Sequence, residues 1–167
     1  VTEKAHLGDT EWSSGVAVGD FDNDGNLDLY VTNFGPNKLY HNNGDGTFTE
    51  MGQKAGVADP KWGFPKWSMG AAFGDIDNDG FVDLYVCNFT DFNYQEYGPA
   101  PSQDSPCKMK GVPIACAPEK YHGVPDLLYR NNGDGTFTDI SEKAGITRKD
   151  PGKGFAVVFS DFDNDGD

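Results

Sequence analysis

The string Asp-x-Asp-Asn-Asp-Gly occurs three times in this chain, at Asp20–Gly25, Asp75–Gly80 and Asp161–Gly166. The first two copies run on to a further acid, Asp28 and Asp83, each followed at once by Leu-Tyr-Val. Carboxylates at loop positions 1, 3, 5 and 9 supply an oxygen cage for a hard divalent cation, and Gly at position 6 permits the sharp turn that folds the cage shut. Two unit charges about 4 Å apart repel by roughly 4 kcal/mol at an effective dielectric near 20. Such loops splay without a counter-ion, so metal binding is expected to be coupled to folding.

The flanks decide which kind of loop this is. An EF-hand requires a bidentate Glu at position 12 and a helix on either side. Position 12 is Val31 in the first copy and Val86 in the second. Gly15-Val-Ala-Val-Gly19 precedes the first loop and Asp28-Leu-Tyr-Val-Thr32 follows it; Gly70-Ala-Ala-Phe-Gly74 and Asp83-Leu-Tyr-Val-Cys87 repeat the pattern. Short apolar runs bounded by Gly, Asn and Asp are strand signals. Each loop therefore joins two strands.

The repeat extends beyond the loops. Lys4-Ala5, Lys54-Ala55 and Lys143-Ala144 recur, as do Trp12 and Trp67, each eight residues before its loop, where the third copy has Lys153. Leu39-Tyr40 and Leu128-Tyr129 each precede Asn-Asn-Gly-Asp-Gly-Thr-Phe-Thr, a hairpin signature in which Asp45 and Asp134 read as turn residues. One unit is thus strand, cation loop, strand, link, strand, tight turn, strand and a short connector. Four antiparallel strands in about 50 residues is the plan of a propeller blade. The expected fold is all-β. Residues 1–50 form a first blade with its loop at 20–28, residues 51–139 a second with its loop at 75–83, and residues 140–167 begin a third with a truncated loop at 161–167.

An insertion at about 90–125 separates the middle strands of the second blade and is rich in Pro, Gly and Tyr. It holds Cys107 and Cys116, whose closeness in an irregular stretch without a neighbouring His points to a disulfide rather than a metal site. Cys87, at the end of an apolar strand, reads as a small buried residue. Two and a half blades fall short of the four to eight of a closed propeller. A fragment of a larger protein is expected, with completion by further blades or other copies.

The net charge of −14 argues against nucleic-acid binding, which wants a basic face. The loops hold 12 of the 27 acids, so much of that charge is concentrated in them. No apolar run reaches the roughly 20 residues of a membrane span. A disulfide together with loops suited to millimolar calcium indicates a secreted, extracellular, periplasmic or cell-surface setting.

Gly19–Leu29 and Gly74–Leu84 resemble the FG-GAP/VCBS repeats of integrin-α-type β-propellers. Tyr129–Asp139 and the Cys107–Pro118 segment are similar to the secreted ASPIC/UnbV branch, which includes cartilage acidic protein-like chains. The resemblance implies a calcium-stiffened propeller, commonly seven-bladed, that serves in binding or adhesion. It implies Ca2+ ligands at Asp20, Asp22, Asp24, the Asn26 carbonyl and Asp28, and at Asp75, Asp77, Asp79, the Phe81 carbonyl and Asp83. Asp161, Asp163 and Asp165 match a third site that lacks its ninth position, so two sites are complete and one is not. Ser160 departs from the pattern, replacing the usual Gly before the loop.

No catalytic constellation is evident. His6, His41 and His122 have no recurring Ser or Cys partner, and the chain has neither a haem-attachment motif nor a phosphate-cradling Gly loop. The expectation is a non-enzymatic module that binds extracellular protein or glycan. Two alternatives stand beside it: a structural subunit of an extracellular filament or surface layer, and an accessory domain of a secreted enzyme.

Overall fold

In the computed structural model, residues 1–58, 66–91, 107–114, 116 and 120–163 are described. Two successive antiparallel meanders organise them. In the first, β1 (Trp12–Gly19) pairs with β2 (Asp28–Phe34), β2 with β3 (Lys38–Asn42), and β3 with β4 (Phe48–Glu50). In the second, β5 (Lys66–Gly74) pairs with β6 (Asp83–Asp91), β6 with β9 (Leu127–Asn131), and β9 with β10 (Phe137–Asp139). A single residue pair, Phe34 with Trp67, joins the meanders through β2 and β5. These are two four-stranded propeller blades.

The loops follow from the register. β1 and β2 close at Gly19 opposite Asp28, and β5 and β6 at Gly74 opposite Asp83, so each aspartate loop is the hairpin connection of the blade's first two strands. Both first strands carry a bulge at the same place, Ser13/Gly15 and Ser68/Gly70.

The connectors hold more order than their sequence suggests: α1 (Thr2–Ala5) and α2 (Gly52–Ala55) are single helical turns. Gly56 ends α2 with φ 81°, a left-handed conformation open to Gly without strain, and His6 adopts φ 60° at the equivalent place.

One apolar core lies between the blades. Ala17, Phe21, Tyr30 and Leu39 of the first pack with Leu84, Val86, Tyr129 and Phe137 of the second, sealed by Ala55 and Val57 behind α2. Glycines permit the close approach of the first strands. A Cβ on Gly15 would stand 2.6 Å from the Met69 carbonyl oxygen, and one on Gly19 would stand 2.8 Å from the Phe73 ring.

The same notch recurs one unit on. A Cβ on Gly70 would meet the Phe155 carbonyl oxygen at 3.0 Å, and one on Gly74 the Phe159 ring at 2.6 Å. Residues 154–160 thus lie along β5 as β5 lies along β1, yet they carry no strand pairing.

Asn33 and Asn88 anchor the end of the blades remote from the loops. The Asn33 N–H donates to Asn37 Oδ1 at 2.9 Å, and the Asn88 N–H to Asp126 Oδ1 at 2.8 Å. Asn37 Nδ2 then donates to Ser68 Oγ at 3.1 Å, and Ser68 Oγ to Asn88 Oδ1 at 2.8 Å, a buried polar seam from one blade to the next.

The insertion is described only in part. Cys107 and Cys116 are joined by a disulfide across the short hairpin β7 (Lys108–Met109) and β8 (Val112–Pro113). Thr90 bridges to Gly123, and the Asp91 N–H donates to the His122 carbonyl at 3.2 Å, which closes its base. Residues 92–106 lie outside the described set. Cys87 is buried and free.

Candidate metal centres

The two loops share the same main-chain bracing bonds. Asp20 accepts the N–H groups of Asp24 and Gly25 at 3.1 and 2.9 Å; Asp75 accepts those of Asp79 and Gly80 at 3.2 and 2.9 Å. Asp24 accepts the Asn26 N–H at 2.8 Å, and Asp79 the Phe81 N–H at 2.9 Å. At position 9, Asp28 accepts the N–H groups of Phe21 and Asn42 at 3.0 and 2.8 Å. Asp83 does the same for Ile76 and Asn131 at 3.0 and 2.7 Å. Positions 1, 5 and 9 therefore brace the loop as well as carrying its charge.

Position 3 has no such duty in the first loop. Asp22 Oδ1 is buried and has no hydrogen-bond partner. Asp20, Asp22 and Asp28 offer oxygen atoms within 4.8 Å of one another, as do Asp75, Asp77 and Asp83. Asp28 and Asp83 are fully buried. Burial pushes both carboxyls above the usual carboxylate range, and the charges of Asp22 and of Asp77 and Asp79 add to it. A buried carboxylate facing further carboxylates is stabilised by a positive counter-charge. The second loop's donor set is all oxygen, and in the first His41 Nδ1 also stands 3.4 Å from Asp28 Oδ1. The orphaned Asp22 oxygen and the clustered carboxylates fit a hard divalent cation.

Asp24 is held below the usual range by its hydrogen bonds from Asn26. The main-chain N–H of Asn26 and its Nδ2 both serve Asp24. Asp161 and Asp163 are exposed at the head of the third loop, Asp165 lies outside the described residues, and no third acidic cluster forms among those described. Asp45 and Asp134 sit in the tight turns, each accepting from the following Thr (Thr47, Thr136) at 2.9 and 3.0 Å through the main chain.

Three features of these centres escape the sequence pattern. Asn131 Nδ2 donates to the Phe21 carbonyl in the first loop at 2.8 Å and to the Val82 carbonyl in the second at 3.0 Å. Asn23 Nδ2 reaches the Gly80 carbonyl at 2.9 Å. The loops are therefore neighbours on one rim, stitched together across the blade boundary. Phe21, the variable residue of the first motif, is buried and packs 6.0 Å from Phe137 of the second blade. His41 stands against the acids of the first loop; its place beside a hairpin gave no hint of this, although its alignment with Arg130 marks a position where the blades differ.

A cavity of about 390 Å³ lies between the second blade and residues 145–154, lined by Tyr85, Asp126 and Arg148 among others. Asp126 is committed there to structure, accepting the Tyr85 O–H at 3.0 Å and the Asn88 N–H. Among the described residues no helix is long and apolar enough to cross a membrane.

Blades that pair around aspartate-headed hairpins, with glycine notches between their first strands, define part of a β-propeller. Comparison with known families agrees: residues 20–86 and 115–167 match the FG-GAP-like repeat. The chain belongs to the FG-GAP-like repeat family, in the branch that includes cartilage acidic protein. It is 27% identical over 181 residues to cartilage acidic protein 1 of Homo sapiens, an alignment covering 91% of this chain and 26% of the relative. Against the Mus musculus protein the identity is 26%, over 91% of this chain and 27% of the relative. The Xenopus tropicalis protein is 35% identical over 88 residues, covering 51% of this chain and 13% of the relative. The chain thus spans about a quarter of the human and mouse proteins.

Proposed function

We propose that this chain is a non-catalytic extracellular propeller module in which calcium, bound in the loops Asp20–Asp28 and Asp75–Asp83, stiffens one rim so that the module can bind protein or glycan partners. The observation that carries the reading is the repeated geometry. Two loops with the same bracing bonds each present a buried position-9 carboxylate, and they lie side by side through Asn23 and Asn131. A cation in either loop would offset the desolvation of Asp28 or Asp83 and the repulsion from the neighbouring carboxylates. Two further points favour an extracellular setting: the Cys107–Cys116 disulfide, and relatives named for cartilage.

The test is a calorimetric calcium titration of the metal-stripped full-length protein, followed by a screen of immobilised glycans and matrix proteins with calcium and with chelator. Saturable uptake that Asp22→Ala and Asp77→Ala each reduce, with binding to the screen that needs calcium, is expected. No heat of binding, or titrations that ignore both substitutions, rejects the cation cages. Replacing residues 92–106 with a Gly/Ser linker spares the buried base residues Thr90, Asp91 and Tyr121. It asks whether that stretch of the insertion carries the partner site, and unchanged partner binding removes that role from it.

A second reading concerns assembly. Val16 and Val18 are 58% and 54% exposed on the first strand of the first blade. They lie on the face opposite Gly15 and Gly19, as Phe73 lies on the face of β5 that packs into the Gly19 notch. That exposed apolar face suits another blade or a second copy. Sedimentation of the full-length protein decides it: a monomer at every concentration with this strand protected from exchange indicates a further blade of its own.

A further inference from the structure

The two loops are not chemically equal. The repeat sets Leu39-Tyr40-His41-Asn42 against Leu128-Tyr129-Arg130-Asn131, so His41 occupies the place of Arg130. β3 runs against β2 with Tyr40 opposite Leu29, and the next step along the register brings His41 to the mouth of the first loop. Its Nδ1 lies 3.2 Å from Asp22 Oδ2 and 3.4 Å from Asp28 Oδ1, and its Nε2 lies 3.9 Å from Asp24 Oδ2. The Phe21 ring, edge-on at 6.2 Å and 85°, flanks the imidazole.

An imidazolium–carboxylate pair is the ordinary account of such distances, but that pair would aim an N–H at an oxygen. Here His41 Nδ1 is a buried atom without a hydrogen-bond partner, and Asp22 Oδ1 is another. Buried polar atoms seldom go unpaired, and two orphaned on facing side chains indicate donors converging on a shared acceptor. The spacing agrees. Donors about 2.0–2.1 Å from a tetrahedral ion stand about 3.3 Å apart, close to the 3.2 and 3.4 Å found from Nδ1 to the two carboxylates.

We infer that the first loop accepts a borderline divalent ion of the zinc class through His41 Nδ1 together with Asp22 and Asp28, with Asp24 close by, whereas the second loop is restricted to hard ions. Asp22, Asp24 and His41 each offer an atom within 4.8 Å of the others, and the comparable group in the second loop, Asp75, Asp77 and Asp83, is all oxygen. Calcium and magnesium take oxygen ligands, while imidazole favours zinc, nickel and copper. Arg130 has no lone pair to give, because its guanidinium stays protonated. This inference rests on the cation-cage reading of the loops and gives them different selectivity.

The test is a zinc titration of the metal-stripped full-length protein by calorimetry, with the imidazole nitrogens followed in 1H–15N spectra, and a calcium titration run beside it. Zinc is expected to shift the His41 Nδ1 resonance. His41→Gln and His41→Arg are both expected to lower zinc affinity at least about tenfold while calcium uptake is kept. Zinc affinity unaltered by both substitutions, or His41 resonances indifferent to zinc, overturns the inference. So does an equal loss of both ions, which would assign His41 to the fold. Calcium uptake without zinc uptake overturns this inference alone, and uptake of neither ion overturns the cation cages as well.

Discussion

Asp22 and Asp28 belong to the same loop, yet their substitution should have opposite signatures. Asp28 is fully buried and accepts two main-chain N–H groups, from Phe21 and Asn42. Asp28→Ala strands both donors, at about 1–3 kcal/mol each, so about 2–6 kcal/mol is lost whether or not a cation is present. Asp22 braces nothing through Oδ1, and its charge helps to push the Asp28 carboxyl upward. Asp22→Ala should therefore be neutral or slightly stabilising in chelator. At a calcium concentration a hundredfold above Kd it should forfeit about 2.7 kcal/mol.

The assay is urea unfolding followed by tryptophan fluorescence, for the wild type and both variants, in calcium and in chelator. The Asp22→Ala deficit should appear only in calcium, and most of the Asp28→Ala deficit should persist in chelator. An Asp22→Ala protein equally destabilised in both media would refute the division of labour, as would an Asp28→Ala protein that is undisturbed in chelator.

Other consequences are as direct. Gly15→Ala should cost about 1–3 kcal/mol, because its Cβ would meet a main-chain oxygen at 2.6 Å. Gly25→Ala, with open space but φ 89°, should cost about 1 kcal/mol through backbone strain alone; thermal melts of the pair check the ranking. Asn131→Ala frees the Phe21 and Val82 carbonyls and should weaken the coupling of the loops, seen as faster amide exchange at Phe21 and Gly80; unchanged exchange would count against the stitch. Burial raises the Cys87 thiol from 9.0 to about 11. An acid whose folded pKa is raised contributes stability that is complete below the unfolded value and lost as pH climbs through the folded one. The wild type should therefore lose stability relative to Cys87→Ala between about pH 9 and 11, and parallel pH curves would contradict this.

The sequence made the blades readable because their signals are local. Asp-x-Asp-Asn-Asp-Gly fixes a turn, Leu-Tyr-Val a half-buried strand, and Asn-Gly-Asp-Gly a hairpin, each within a few residues. The strands proved longer than their apolar cores, reaching Phe34 and Asp91, since Asn33 and Asn88 are buried through hydrogen bonds rather than hydrophobicity. That seam depends on partners such as Asp126, 38 residues away. The helical turns α1 and α2 are too short for periodicity to reveal. His41 at the first loop, Asn131 across both, and Phe21 against Phe137 arise from strand pairing and blade packing, at separations no motif spans. The glycine notches are a case between: the Gly-x-x-x-Gly repeat was visible, but its purpose needed the neighbouring blade.

Anomalous diffraction from crystals of the full-length protein grown in calcium addresses the central claim most directly. The expected result is one ion in each loop, about 2.3–2.6 Å from its carboxylate oxygens, with Asp22 Oδ1 or Oδ2 in the first and Asp77 in the second among the ligands. Water in both loops at millimolar calcium, with Asp28 and Asp83 unmoved, would contradict it.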